Sequence, residues 1–381
     1  MSRSGRPRLL VDLLSVTGHR GGTEVYAREI YTRLPRALAG WDLIAVANRT
    51  GADLVRASFP GDVHPLRLVG ADRLTWAGGE ALLVNRVARA TRADLIWSPA
   101  NFGPVTAGVP RVTTVHDVTY HTLSGSFVQR AAAGATARLM ERTARTSTAL
   151  LTGSVAARDA IVAHMGIDPE RIAVVPHGTV DPIPVQDPRT LLERHGVPTE
   201  RPILLSTGNR LPHKNFEGLL AALATIPQQR RPHTIITGGG HDDPLRSEVV
   251  RLGLQNDVTL PGWVTAEVLA ALYAVADLYV CASLAEGFGL PVIDAMRRDC
   301  LVLANDIPVL REVGGDAALF ADATDPAHFG TAILDALRTL PDDARRRSGR
   351  MWSERFTWES SAEGTARVLR AALDQSRVVS R

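Results

Sequence analysis

Short runs of leucine and β-branched residues, apolar without alternation, recur along this chain and are separated by alanine-rich stretches of helical length. A strand that is apolar on both faces needs cover on both faces, and a parallel sheet flanked by helices supplies it. The first series comprises Arg8–Leu14, Leu43–Asn48, Asp94–Ser98, Arg111–Val115, Thr148–Gly153 and Ile172–Val175. After a proline-rich segment, Val180–Pro188, the pattern restarts with Ile203–Thr207, His233–Thr237, Asp257–Leu260, Asp277–Cys281 and Cys300–Ala304. The expectation is an α/β protein of two Rossmann-like domains, at 1–180 and 189–359, joined by a linker at 181–188. A length of 381 residues suits two cores rather than one.

Composition narrows the functional classes. With 45% apolar and 22% charged residues the chain is globular. Forty-three Lys plus Arg against 40 Asp plus Glu give a formal charge of only +3, so no nucleic-acid partner is expected. Cys281 and Cys300 form no C-x-x-C pair and lie in apolar stretches, which reads as buried reduced thiols in an intracellular protein. Ser2–Arg8 is polar and leads directly into a strand, and no apolar run reaches membrane-spanning length. A cytoplasmic protein follows, with peripheral contact at the inner membrane face left open.

Ligands of open parallel sheets bind beyond the carboxyl ends of the strands. The unusual residues fall there: Gly21-Gly22, His116-Asp117, Arg210 to Lys214, Gly238-Gly239-Gly240 and Glu286-Gly287-Phe288-Gly289. Two such edges, facing each other, would form an interdomain cleft. The glycines around Phe288 let backbone N–H groups approach a ligand, and Pro291 suits the first turn of a following helix whose N-terminus would face an anion. Glu286 can accept hydrogen bonds from sugar hydroxyls; the bland alternative is a solvated carboxylate in a plain turn. Lys214 and Arg210 are cations of a kind common on surfaces, but at a strand's carboxyl end they read as phosphate ligands. Gly21 and Gly22 either offer N–H groups to the diphosphate or simply turn the chain into a helix. Gly238 begins no G-x-G-x-x-G motif, because Asp243 stands where the last glycine would be, and a dinucleotide dehydrogenase is not supported. Arg138, Arg142 and Arg145 line one helical face, which reads first as solvated and second as a contact for anionic lipid.

The string from Ser283 to Met296 resembles the signature of the retaining glycosyltransferases of family 4, and Gly208-Asn209-Arg210-Leu211-Pro212-His213-Lys214-Asn215 is similar to that family's G-x-x-x-P-x-K-N segment. Val174 to Gly178, Gly262-Trp263-Val264, Leu272 to Asp277, Arg311 to Gly315 and Phe356 to Glu359 follow as further landmarks in the same order. The resemblance implies a GT-B fold, with a last helix at 360–381 packing back on the N-terminal, acceptor-binding domain. It also implies a nucleoside-diphosphate sugar as co-substrate, a saccharide or glycoside acceptor, and no cofactor or metal.

On that pattern His116, Glu286, Lys214 and Arg210 are the expected catalytic residues. Gly21, Gly22, Gly208, Asn209, Gly238, Val264, Gly287, Phe288, Gly289, Leu290 and Asp294 would bind the donor. The His116-Asp117 dipeptide resembles a subset containing mannosyltransferases, with His121 and His213 as neighbours of the site. The family's arginine directly follows its glycine, where this chain has Asn209. Asp294 replaces a glutamate that holds the ribose, and Arg297-Arg298-Asp299-Cys300 replaces a run of small residues. The expected reaction is hexose transfer with retention from a GDP-mannose-like donor. A nucleotide-sugar epimerase of the same fold and a non-catalytic nucleotide-binding partner are the alternatives.

Overall fold

The computed structural model describes residues 5–18, 21–106, 108–118, 127–194, 197–198, 201–339 and 343–379. His121 lies outside them. The chain divides into two compact units, Met1–Gly178 with Trp358–Arg381, and Thr179–Thr357.

The first unit holds a parallel sheet of β1 (Arg8–Leu13), β2 (Asp42–Asn48), β3 (Asp62–Leu66), β4 (Leu95–Ser98), β5 (Arg111–Thr114), β6 (Ala149–Thr152) and β7 (Ile172–Val174), in the order β3-β2-β1-β4-β5-β6-β7. The second holds β8 (Ile203–Thr207), β9 (His233–Thr237), β10 (Val258–Gly262), β11 (Leu278–Cys281), β12 (Leu301–Asn305) and β13 (Leu319–Ala321), in the order β10-β9-β8-β11-β12-β13. All pairs are parallel. Both orders double back on their first strand, so each sheet carries helices on both faces and buries its central strands completely. Leu204, Leu278, Leu301 and Phe329 are core residues of the second unit, and Leu10, Val46 and Ile96 of the first.

The helix Trp358–Val379 returns to the first unit, where Trp358, Ala362, Ala366 and Leu369 are buried and Arg33 meets Glu359 at 2.8 Å. The second unit begins at Thr179, ahead of the expected linker. Thr179 N–H donates to the Phe356 carbonyl at 3.1 Å, and Asp181 accepts from Arg297 Nε at 3.0 Å, so both belong to that unit. Cys281 and Cys300 are free and buried, and burial pushes their thiols up to about 11 and about 12.

Candidate functional site

Where a parallel sheet reverses its strand order, the loops on the two sides diverge and leave a crevice. In the second unit this point falls between β8 and β11. Lys214 follows β8 and Glu286 follows β11, and the two meet at 2.6 Å between Nζ and Oε1, with side chains 16% and 10% exposed. Their loops are locked together: Leu284 N–H donates to the His213 carbonyl at 2.7 Å. Asn215, at a φ of 54°, anchors the Pro212–Lys214 turn by donating from Nδ2 to the Ala323 carbonyl at 3.0 Å. The cation and the carboxylate are therefore positioned before any ligand arrives.

The turn from Glu286 ends at Gly289, whose φ of 96° starts the helix Leu290–Arg297 with Pro291 in its first turn. The conformation requires glycine, and a Cβ at Gly289 would also press on the Leu310 side chain at 2.8 Å. Phe288 is buried and packs edge-on to Phe356 at 5.7 Å. Its ring anchors the turn, and the backbone from Gly287 to Leu290 is what the turn can offer an anion, at the positive end of the helix. After β9, Gly238 has a φ of 93°, and a Cβ there would lie 2.3 Å from the Gly208 carbonyl oxygen. Gly238 N–H donates to the Gly262 carbonyl at 2.8 Å, which brings the Gly262-Trp263-Val264 loop alongside. Asn209 Oδ1 is buried and meets no donor among the described residues, an acceptor that a ligand hydroxyl would satisfy.

Arg210, expected beside Lys214 at the diphosphate, is engaged within the protein. Its Nε donates to Asp243 at 3.0 Å, Nη1 to the Gly208 and Thr237 carbonyls at 3.0 and 2.9 Å, and Nη2 to the Ile236 carbonyl and Asp243 at 3.0 and 2.7 Å. All five N–H groups are spent, so the guanidinium fastens the loops after β8 and β9 and has none left for a phosphate. Burial alone would raise the Asp243 carboxyl, but the bonds from Arg210 and Leu245 N–H outweigh it and hold Asp243 below the usual carboxylate range. Asp243, read in the sequence only as a missing glycine, is the reason. Asp294, on the helix Leu290–Arg297, accepts at Oδ1 from the Thr179 hydroxyl and lies 3.5 Å from Arg298 Nη1.

In the first unit Gly21 is the N-cap of the helix Gly22–Tyr31, and Glu24 ties the loop before it by accepting from Thr17 N–H at 2.7 Å and Gly18 N–H at 2.9 Å. His116 follows β5, but its ring is buried. Nε2 lies 2.8 Å from the Pro99 carbonyl, which only accepts, so Nε2 carries the proton. Burial lowers the pKa of His116 and takes that of His177 well below the usual value, so both rings are neutral and His116 Nδ1 accepts from His177 Nε2 at 3.3 Å. His177 stacks on Trp358, 6.2 Å between centroids, and Tyr26 meets the His116 ring edge-on at 4.8 Å. Both ring nitrogens of His116 are thus engaged within the first unit.

A second buried cluster in this unit had no sequence signal. Asp12 accepts from the Ser98 hydroxyl at 3.0 Å, Glu80 accepts from Trp76 Nε1 at 2.9 Å, and the two buried carboxyls act on each other electrostatically. Burial first, then mutual repulsion, raises Glu80 well above its usual value, while burial lowers the nearby Arg111 to about 10. On the helix Phe127–Thr146, Arg142 donates to the Val105 carbonyl at 3.1 Å, and Arg145 pairs with Glu141 at 2.7 Å. Among the described residues no group of three His, Cys, Asp or Glu could hold a metal, and no helix is long and apolar enough to cross a membrane.

Two parallel-sheet units, one with an ion pair and a helix N-terminus at its switch point, define an α/β ligand-binding protein of the GT-B type, the fold of solved glycosyltransferases. Residues 20–181 match the sequence profile of Glycosyltransferase Family 4, and residues 188–349 that of Glycosyl transferases group 1. The chain belongs to this family of glycosyltransferases. It is 35% identical to O-antigen chain mannosyltransferase B of Escherichia coli over 42% of this chain and 44% of that one. It is 30% identical to the MMP alpha-(1->4)-mannosyltransferase of Mycolicibacterium hassiacum over 62% of this chain and 57% of that one. The match thus spans about half the length of these two relatives. Anabaena HepE, solved in complex with UDP-glucose, superposes with a TM-score of 0.72 at 20% identity, covering 96% of this chain and 100% of that one.

Proposed function

We propose that this protein transfers a hexose from a nucleoside-diphosphate sugar to a hydroxyl of a saccharide, lipid-linked saccharide or glycosylated small molecule, with retention at the anomeric carbon. The observation that carries the proposal is the Lys214–Glu286 pair at the β8/β11 switch point, set against the N-terminus of the helix Leu290–Arg297. On this reading Lys214 and the backbone from Phe288 to Leu290 hold the diphosphate, Glu286 takes sugar hydroxyls, and Asp294 faces the ribose. The acceptor oxygen bonds to the anomeric carbon on the face from which the diphosphate leaves, and the departing phosphate oxygen takes the acceptor's proton. Such a step needs no strong enzymic base, which agrees with the saturated His116. Lys214 and the helix dipole supply the charge that a metal would otherwise provide, and turnover should survive EDTA. The mannosyltransferase relatives favour a GDP-mannose-like donor.

Donor consumption, measured with GDP-, UDP- and ADP-sugars in EDTA, with and without saccharide acceptors, tests the reading. Acceptor-dependent release of nucleoside diphosphate, with a product of the donor's anomeric configuration, is expected. Loss of donor without acceptor would point to an epimerase, and nucleotide binding with no turnover to a non-catalytic partner.

A further inference from the structure

Asp294 is four residues along the helix from Leu290, about 6 Å from its N-terminus at 1.5 Å per residue. A diphosphate bound at that N-terminus would bring the ribose hydroxyls to this depth. The carboxylate side chain is a third exposed, and ribose offers two vicinal donors that a carboxylate with both oxygens open can take together. Here one oxygen is already engaged. Oδ1 accepts from the Thr179 hydroxyl and faces Arg298 Nη1 at 3.5 Å. Arg298 is held in place by its 2.8 Å bond to the Asp294 carbonyl and by the Tyr273 ring, 5.0 Å beneath its guanidinium. Among the described residues no hydrogen bond to Oδ2 is present.

Resting on the reading that Asp294 faces the ribose, we propose that this site grips the ribose through one hydroxyl and accepts 2′-deoxyribonucleoside diphosphates nearly as well as ribonucleoside diphosphates. An aspartate reaches about 1.5 Å less far than a glutamate, which keeps the carboxylate beside Thr179 and leaves Oδ2 as the unengaged oxygen. The 2′-hydroxyl is then dispensable, because the neighbouring hydroxyl remains to meet Oδ2.

Calorimetry on the full chain with GDP, UDP and ADP, and with the 2′-deoxy form of each, tests this. For the base that binds best, the ribo form should bind less than about five-fold more tightly than the deoxy form. Asp294→Glu, which carries the carboxylate past Thr179, should raise that preference to roughly ten-fold or more, the worth of one charge-assisted hydrogen bond. Thr179→Val, which releases Oδ1, should move it in the same direction and serves if the first variant fails to fold. A native preference of five-fold or more, or one that no folded variant moves, overturns the inference. Failure of all three ribonucleotides to bind overturns the nucleotide-sugar reading beneath it.

Discussion

Arg210 and Lys214 stand on the same loop, and each closes an ion pair with a distant carboxylate, Asp243 in one case and Glu286 in the other. The first pair is sealed, its side chains 9% and 1% exposed, and every N–H of the guanidinium has a protein acceptor. The second joins the Lys214 ammonium to Glu286 Oε1 at 2.6 Å across the switch point. A phosphate can displace Glu286 from the ammonium, and a sugar hydroxyl can then satisfy Glu286. No such exchange is open to Arg210 without breaking the loop. On the proposed function, the saturated charge builds the site and the exchangeable one serves it.

The sharpest way to break this contrast is to remove each cation. Arg210→Ala leaves Asp243 charged and buried, a loss of roughly 3–5 kcal/mol in the second unit's stability. Urea unfolding should show it, and a variant as stable as the parent would return Arg210 to the list of ligand residues. Lys214→Ala should leave the fold intact and lower kcat by roughly 10²-fold or more, because the ammonium interacts most strongly with the leaving phosphate as its charge grows. If initial rates fell no further for Lys214→Ala than for Arg210→Ala at equal folded concentration, the division of labour would be wrong.

Glu286→Gln sharpens the same comparison from the other side. The amide keeps the shape and part of the hydrogen bonding, so free nucleoside diphosphate should bind within about three-fold of the parent while turnover drops by roughly ten-fold or more. Loss of nucleotide binding on calorimetry would place Glu286 on the diphosphate instead of the sugar.

Much of the fold was legible, for a definite reason. The strands buried on both faces write continuous apolar runs, and Ile203–Thr207 and His233–Thr237 fall where the sequence put them. The two strands that escaped, β3 and β13, lie at sheet edges, where partial exposure removes that run. The glycine turn, Lys214 and Glu286 stood out because each follows a strand's end, and the structure joins the last two in an ion pair. The Arg210–Asp243 pair escaped because the two residues lie on different loops, and nothing in a linear sequence marks them as neighbours. For the same reason His177, the residue that occupies His116 Nδ1, passed as a landmark without a role.

The smallest expected effect belongs to the Asp12–Glu80 pair, a test of whether a buried cluster with no exchangeable partner acts on stability alone. Both carboxyls are raised in the folded unit, Glu80 well above its ordinary 4.5, so the native state keeps a proton that the unfolded chain releases. For an acid raised in this way the contribution is fully present below the unfolded value and is lost as pH climbs toward the folded one. The slope is at most about 1.4 kcal/mol per pH unit for one retained proton. Glu80→Gln carries no charge at any pH and keeps an oxygen for Trp76 Nε1. Its stability relative to the parent should therefore grow as pH rises above about 4.5, while kcat stays within about two-fold. Urea unfolding of both proteins across that range reads the difference directly. Parallel stability curves would mean that no proton is held by Asp12 and Glu80.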